Sequence, residues 1–301
     1  MSRKKQRRIL NLALAVLIAG LAAGAWFARE KEQPATPLTA LKPDDITRIA
    51  VRHPGKPAIE LQKGPDGWAL TAPVKVAADP FQVNGLTSLA IQETSAQYPL
   101  GELELKNLEL DPPNYEVQLD DTVLAIGGTE PIDYRRYVRV GETVYLTADP
   151  PSTALDANYS DLVHAQLVPP GSKLTRIRAP GFTATGQEGG EWRIEPAKAA
   201  QGADATRALV EAWKTARSLW RAELGTADKP SASDRVTITL DGRDVTFAVL
   251  EREPQLRLAR LDLKVVYTLG PNFGEDLFKL KPPPPPQKDS KQDETTDAKS
   301  P

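Results

Sequence analysis

The chain has 301 residues, of which 40% are hydrophobic and 26% charged, as expected of a globular protein with one large or two ordinary domains. Its formal net charge is −2, and because residues 1–29 carry six cations and no acid, residues 30–301 carry −8. An acidic body without a basic block argues against nucleic acid or anionic lipid headgroups as partners. The sequence contains no cysteine, which excludes disulfides and thiolate metal sites and is compatible with a bacterial periplasmic domain of this size.

The first predicted element is a membrane-spanning helix over residues 9–28, which carry no charge. Twenty helical residues reach about 30 Å, the thickness of the hydrocarbon core of a bilayer. Five cations precede this segment, so the positive-inside rule predicts a single-pass protein of the bacterial inner membrane, with a cytoplasmic N-terminus and a periplasmic C-terminal domain. Gly20 and Gly24 have the G-x-x-x-G spacing that lets two anchor helices pack as a homodimer, although small residues are also common in such helices without this role.

A cleaved signal peptide is the alternative interpretation of this segment, because residues 23–25 (Ala-Gly-Ala) satisfy the small-residue cleavage rule. Trp26 and Phe27 continue the apolar run at the point where a spanning helix places its interfacial aromatic residues. We therefore favour an uncleaved anchor over residues 1–29, which includes the basic cytoplasmic tip. The polar, proline-containing residues 30–44 follow as a predicted stalk.

The folded body begins with three predicted strands, in which apolar and polar residues alternate at residues 46–52, 58–63 and 68–71. Asp79 followed by Pro80 is typical of a helix start, and apolar residues at three- and four-residue spacing predict an amphipathic helix that ends near Glu93. A short helical piece and four hairpin strands are predicted next, at residues 101–110, 115–119, 123–126, 137–140 and 143–146.

This pattern occurs a second time in the chain. Five matched segments follow in the same order at offsets of 121 to 128 residues, beginning with residues 46–49 against residues 174–177. A near-constant offset indicates a tandem duplication. We therefore predict an α+β fold with two tandem duplicated units of mainly antiparallel sheet, each with one crossing helix, over residues 45–170 and 171–280 and with a boundary near residues 168–171.

The second unit is predicted to have its helix at residues 204–221, whose apolar face carries Leu209, Trp213, Ala216 and Trp220. Trp68 and Trp192 are matched between the two copies and are predicted to anchor the two cores, with ligand stacking as the alternative. The proline-rich, charged residues 281–301 are predicted to be a disordered tail.

The common nucleotide, zinc and serine-nucleophile motifs do not occur, so we predict no catalytic residue, metal or cofactor. The two histidines, His53 and His164, are separated in the sequence in a way that gives no reason to expect a zinc site. The acidic pairs at residues 44–45 and 120–121 leave a periplasmic glycan or peptide hydrolase as an alternative. Turn formation is the competing interpretation, because residues 120–121 match the hairpin signal Asp-Gly at residues 241–242.

The candidate site is the loop within residues 127–139, whose glycine pair has no counterpart in the second copy. Two glycines permit unusual backbone angles or the close approach of another backbone, and arginine and tyrosine offer donors and flat faces. The candidate ligand-binding residues are Gly127, Gly128, Thr129, Tyr134, Arg135, Arg136 and Tyr137. The competing interpretation is a long hairpin loop whose arginines pair with the acidic body.

Several motifs follow one another in a set order. They are, in order, I-T-R-I at residues 46–49, W-x-L-T-x-P at residues 68–73, A-D-P at residues 78–80, L-x-L-D-P-P at residues 108–113, G-G-T at residues 127–129 and R-Y-V-R-V-G-x-x-V-Y-L at residues 136–146. With the N-terminal anchor, they resemble the bacterial domain-of-unknown-function family numbered 4340. The resemblance covers residues 46–167 well and the second copy weakly. It implies an anchored envelope protein without assigned activity or catalytic residues, and some members are similar to components associated with gliding-type ABC transport systems.

Together these observations predict a non-catalytic adaptor or accessory of an envelope or ABC transport complex. Its partners would be the membrane and envelope proteins, with no nucleic acid. The two alternatives are a hydrolase with an unrecognised carboxylate site and a ligand-binding module that uses residues 127–139.

Overall fold

A computed structural model of the chain describes residues 36–148 and 157–281, together with the isolated positions 14, 17, 18 and 20. Within this part, no helix combines the length and the apolar character needed to cross a membrane. Most of the predicted anchor, with Gly24, lies outside the described residues, as do residues 30–35 and the tail from residue 282. Gly20 is helical, and no described atom lies within 4 Å of the place that a Cβ would take there.

The chain divides into two compact units, Met1–Ala157 and Asn158–Pro301. The predicted boundary near residues 168–171 lies inside the second unit. The preceding segment belongs to that unit because Tyr159 Oη donates to Leu263 O at 3.0 Å and Ser218 N donates to Ala165 O at 2.9 Å.

The described part of the first unit is built on one ten-stranded antiparallel sheet. Its strands are β1 (Thr36–Pro37), β2 (Arg48–Arg52), β3 (Ile59–Gly64), β4 (Gly67–Ala72), β5 (Val76–Ala77), β6 (Glu93–Pro99), β7 (Tyr115–Leu119), β8 (Thr122–Thr129), β9 (Arg136–Val140) and β10 (Thr143–Thr147). They lie in the order β1-β6-β10-β9-β8-β7-β2-β3-β4-β5. Helix α1 (Pro80–Ser88) follows β5, and two 3-10 turns, Leu100–Glu102 and Leu105–Leu108, connect β6 to β7.

The second unit is built on an eight-stranded antiparallel sheet. Its strands are β11 (Leu174–Ala179), β12 (Phe182–Gly186), β13 (Trp192–Glu195), β14 (Trp220–Glu223), β15 (Arg235–Leu240), β16 (Arg243–Glu251), β17 (Leu256–Arg260) and β18 (Val265–Leu269). They lie in the order β13-β12-β11-β15-β16-β17-β18-β14. Its helices are α2 (Tyr159–Leu162), α3 (Ala203–Thr215) and α4 (Phe273–Asp276).

The two sheets share one strand order. The second sheet has the order β13-β12-β11-β15-β16-β17-β18-β14. Strand for strand, this corresponds to β4-β3-β2-β7-β8-β9-β10-β6 in the first sheet. The mainly antiparallel α+β prediction is therefore confirmed for the described residues, with two sheets and few helices.

The residue match at the first strand of each copy is displaced by the strand register. Ile49 lies opposite Leu119, whereas Ile177 lies opposite Ile238 and thus takes the position of Val51. The displacement arises at an irregularity between Leu174 and Arg176, where β11 carries an extra residue relative to β15.

Both long helices end earlier than predicted. Asp79 caps α1 by accepting from Phe81 N at 3.0 Å, and Pro80 occupies its first turn, as expected. After Ser88 the chain passes through one 3-10 turn, and Glu93 already belongs to β6. Likewise α3 ends at Thr215 and Trp220 lies in β14, because pairing with β18 supplies backbone hydrogen bonds to these residues.

Trp68 and Trp192 are half-buried, so neither is at the centre of its core as predicted. The buried residues of those strands are their neighbours two positions on, Leu70 and Ile194. In the second unit the central aromatic residue is instead Trp213 of α3, which is fully buried. Its ring lies 5.6 Å from that of Phe247 in β16, which places α3 on the apolar face of the sheet.

Candidate functional site

The predicted site lies in the hairpin between β8 and β9. Its tip is closed by hydrogen bonds of its own, since the Glu130 carboxylate accepts from Ile132 N at 2.9 Å and from Asp133 N at 2.8 Å. Glu130 N in turn donates to Arg135 O at 2.7 Å. Residues 130–135 therefore form a turn with a defined shape rather than a loose loop.

The glycine pair admits a second segment of the same unit. A Cβ on Gly127 would overlap the carbonyl oxygen of Leu108 and would lie 2.8 Å from Leu110 Cγ. A Cβ on Gly128 would lie 3.0 Å from Glu109 Oε2. Of the two roles open to these glycines, the structure supports close approach of another backbone, and neither residue has a positive φ.

The segment that approaches the glycines covers a small second core on this face of the sheet. Leu110, Ala125 and Val144 are buried there, with part-buried Leu100, Leu103, Leu105, Leu108 and Tyr137 packed against them. Burial is the main cause that raises the pKa of the Tyr137 hydroxyl, and the neighbouring Glu130 and Tyr98 add to it. Tyr137 is thus part of this core.

The two arginines of the candidate site do not converge. Arg136 Nη1 donates to Gly127 O at 3.2 Å and so braces the hairpin internally. Arg135 lies 3.9 Å from the Asp133 carboxylate on the surface of the tip. The large apolar and aromatic side chains exposed at the tip are Ile132 and Tyr134, whose exposed fractions are 80% and 73%. The arrangement suits contact with an apolar surface better than capture of an anion, and the residue types alone gave no sign that Ile132 would stand out.

The acidic pair at residues 120–121 serves the turn between β7 and β8. Asp120 has a positive φ of 49°, and its carboxylate accepts from Thr47 Oγ1 at 2.9 Å and from Arg48 N at 2.9 Å. Partial burial is the largest single influence and acts to raise the pKa of Asp120, but the hydrogen bonds from Thr47 and Arg48 together hold it below its usual value of 3.8. Asp121 forms an exposed ion pair with Arg48 at 3.0 Å.

The other acidic pair, Asp44 and Asp45, lies in a 3-10 turn that begins at Pro43. The backbone carbonyl of Asp44 accepts from Lys63 Nζ at 2.7 Å. Both acidic pairs are therefore placed as turn residues, in agreement with the competing interpretation of the sequence.

Asp120→Ala is expected to lower the free energy of unfolding by about 2–3 kcal/mol, against about 1–2 kcal/mol for Asp241→Ala. Asp241 occupies the equivalent turn with a φ of 50°, so the strain of alanine is common to both variants. Among the described residues, however, the Asp241 carboxylate accepts a hydrogen bond from Lys173 N alone. Because the pKa of Asp120 is lowered in the folded protein, its contribution is present above pH 3.8 and is lost as the pH falls below that value. Urea unfolding at pH 7 and pH 3 should show the effect of Asp120→Ala shrinking in acid, and an unchanged effect would contradict this role.

The histidines each have local partners. His53 packs edge-to-face on Tyr115 with 5.5 Å between ring centroids, and the buried His164 accepts from Gln166 N through Nδ1 at 3.1 Å. No group of three or more potential metal ligands occurs among the described residues.

The fold and the site define a class of protein with two antiparallel sheets, a helix packed in each unit and a braced hairpin tip. A family model described as "Domain of unknown function (DUF4340)" matches residues 68–241, from β4 to the turn after β15. This match covers more than half of the chain, and the chain belongs to that family. It confirms the resemblance inferred from the motifs and extends it into the second unit. No curated protein and no solved structure matches the chain.

Proposed function

We propose that the protein is a non-catalytic adaptor or accessory of an envelope or ABC transport complex, held at the bacterial inner membrane by residues 9–28. Its periplasmic body consists of two units that arose by tandem duplication. The observation that carries the proposal is the braced hairpin tip, which leaves the side chains of Ile132 and Tyr134 exposed.

The tip has the properties of a protein-docking element. Large exposed apolar and aromatic side chains supply contact energy at protein interfaces, and a rigid support reduces the entropy lost on binding. Here the Glu130 carboxylate and the Arg136 guanidinium hold the turn from both sides. A hydrolase is less well supported, because both acidic pairs that motivated it are engaged in turns.

A photo-crosslinking side chain at position 134 is expected to give a discrete adduct with an envelope protein in intact cells. The same side chain at Val123, which is 41% exposed on β8, is the matched control and should not give that adduct. The double change Ile132→Ser with Tyr134→Ser should abolish capture of the partner without lowering the melting temperature, since both side chains are exposed. Identical adducts from both positions, or none from position 134, would contradict the docking role.

The anchor is tested separately by mass spectrometry of the mature protein. A chain that retains residues 9–28 supports the proposal, whereas a mature chain that begins at Trp26 contradicts it.

A further inference from the structure

The outer face of the second sheet has an unusual composition. Outward-facing positions of the adjacent strands β12, β11 and β15 hold arginine and threonine, while the strands on either side, β13 and β16, place Glu195 and Asp244 on the same face. The strand register places Arg176 between Thr185 and Thr239, and Arg178 between Thr183 and Thr237. The opposite face of this sheet is apolar and covered by α3, so the arginine–threonine face is the solvent side.

Two arginines of this face, Arg176 and Arg178, have no carboxylate partner among the described residues. Arg176 and Arg178 are exposed and form neither an ion pair nor a side-chain hydrogen bond with any residue that the structure describes. Arg235, on the same face of β15, donates only to the backbone oxygen of Ser231 at 3.0 Å. The acids of this face lie one strand further away. Glu195 is opposite Thr183 and pairs with Arg193 at 3.3 Å, and Asp244 is opposite Thr239, from which it accepts a hydrogen bond at 2.6 Å.

On the corresponding face of the first sheet, acidic residues lie directly beside the arginines. Arg52, which takes the position of Arg178, donates to Gln118 at 3.1 Å and lies opposite Glu116. Arg48 pairs with Asp121 at 3.0 Å. The second unit therefore places Arg176 and Arg178 between threonines, whereas the first unit places acids beside its arginines, although the body as a whole is acidic. Two arginines without an adjacent carboxylate make this part of the face locally positive, which favours an anionic ligand.

The chemistry of the face narrows the class of ligand. Side chains two residues apart on a strand lie about 6.7 Å from each other, so Arg176 and Arg178 can engage separate anionic groups of one extended chain. Arginine binds carboxylates through two donors, and hydroxyl groups of threonine can bond to sugar hydroxyls. The face offers neither the aromatic rings that stack on bases nor the apolar side chains that enter membranes or protein interfaces.

We propose that the outer face of the second sheet binds an anionic polysaccharide through Arg176, Arg178, Arg235 and the threonines between them. The carboxylates of the polymer pair with the arginines, and its hydroxyls bond to Thr183 and Thr185, whose own hydroxyls make no hydrogen bond within the described residues. This surface is separate from the hairpin tip and lies in the other unit.

The test measures binding of the full-length chain in detergent to polygalacturonate, with dextran as the neutral reference. The wild type should bind polygalacturonate but not dextran, and added salt should weaken the binding. The double change Arg176→Gln with Arg178→Gln should weaken binding to polygalacturonate by at least about tenfold, because each substitution removes a charge-assisted hydrogen bond. The melting temperature should not change, since neither side chain has an internal partner.

The matched control is Arg207→Gln with Lys214→Gln, which removes the same charge from α3 on the apolar face of the sheet. These residues form only exposed ion pairs with Asp204 and Glu211, at 3.3 and 3.1 Å. The control should bind as the wild type does. Thr183→Val with Thr185→Val should weaken binding by about threefold, as expected for lost neutral hydrogen bonds.

Three results would overturn the proposal. The first is an arginine double variant that binds as tightly as the wild type, and the second is an equal loss of binding in the α3 control. The third is a threonine double variant that binds unchanged, because the interaction would then be simple ion exchange. Tighter binding to poly-glutamate or to anionic vesicles than to polygalacturonate would assign the face to an acidic protein or to a membrane and would also overturn it.

Discussion

Gly127→Ala is expected to destabilise the first unit by about 2–4 kcal/mol, in the upper range for overpacking. The new Cβ would overlap the backbone oxygen of Leu108 and press on Leu110 Cγ at 2.8 Å. A backbone atom cannot rotate away, so the segment over the small second core must lift from the sheet. Elsewhere in a strand this change would be neutral or mildly stabilising, because alanine restricts the unfolded chain more than glycine does.

Gly128→Ala is the matched control for this prediction. Its Cβ would meet the Glu109 carboxylate at 3.0 Å, and that side chain can move at the cost of one exposed hydrogen bond from Asn114. The expected loss is about 1 kcal/mol or less. The two variants are compared by denaturant unfolding, which measures the free energy of unfolding. Hydrogen exchange of the amides of residues 105–110 reports on the local segment. Equal stability of Gly127→Ala and Gly128→Ala would show that the close approach does not stabilise the hairpin.

Trp213→Ala is expected to cost about 3–5 kcal/mol and to impair folding of the second unit. The side chain is fully buried against Phe247, and its Nε1 donates to the backbone oxygen of Leu277 at 3.0 Å. Truncation therefore creates a cavity, leaves a buried carbonyl without its donor and releases the segment that carries Leu277.

Trp192→Ala is the control for Trp213→Ala, because Trp192 is the tryptophan that the sequence placed in the core and the structure leaves half-buried. Its replacement should cost less than half as much as that of Trp213. Trp213→Phe keeps much of the packing and separates the cavity from the lost hydrogen bond. A Trp192 variant that is as unstable as the Trp213 variant would contradict the observed core.

Local patterns predicted most strands well. The alternation in residues 115–119 corresponds to β7 without a shift, and Asp120 and Asp241 were both recognised as turn residues. These features depend on neighbours in the sequence, since strand periodicity and turn chemistry are encoded within a few residues. The shared order of elements in the two halves was readable for the same reason.

Helix ends and core tryptophans depended on distant partners. Ala216 and Trp220 continue the helical spacing of Leu209 and Trp213, yet pairing with β18 draws Trp220 into a strand. Trp68 and Trp192 follow the same local alternation as buried strand residues. Their positions near one end of each sheet order, in β4 and β13, leave them only half covered.

The sequence by itself determined the family, the β-rich class, the two-part order of elements and the glycine pair as a special point in the chain. Tertiary structure alone decided what those glycines are for, because Leu108 and Gly127 are distant in the chain and come together only in the folded unit. It also decided that Ile132 and Tyr134 are exposed at the tip and that Arg176 and Arg178 lack carboxylate partners in the part of the chain that the structure describes. The physical reason is that exposure and charge compensation depend on strand register and on residues far away in the chain, which local periodicity does not specify.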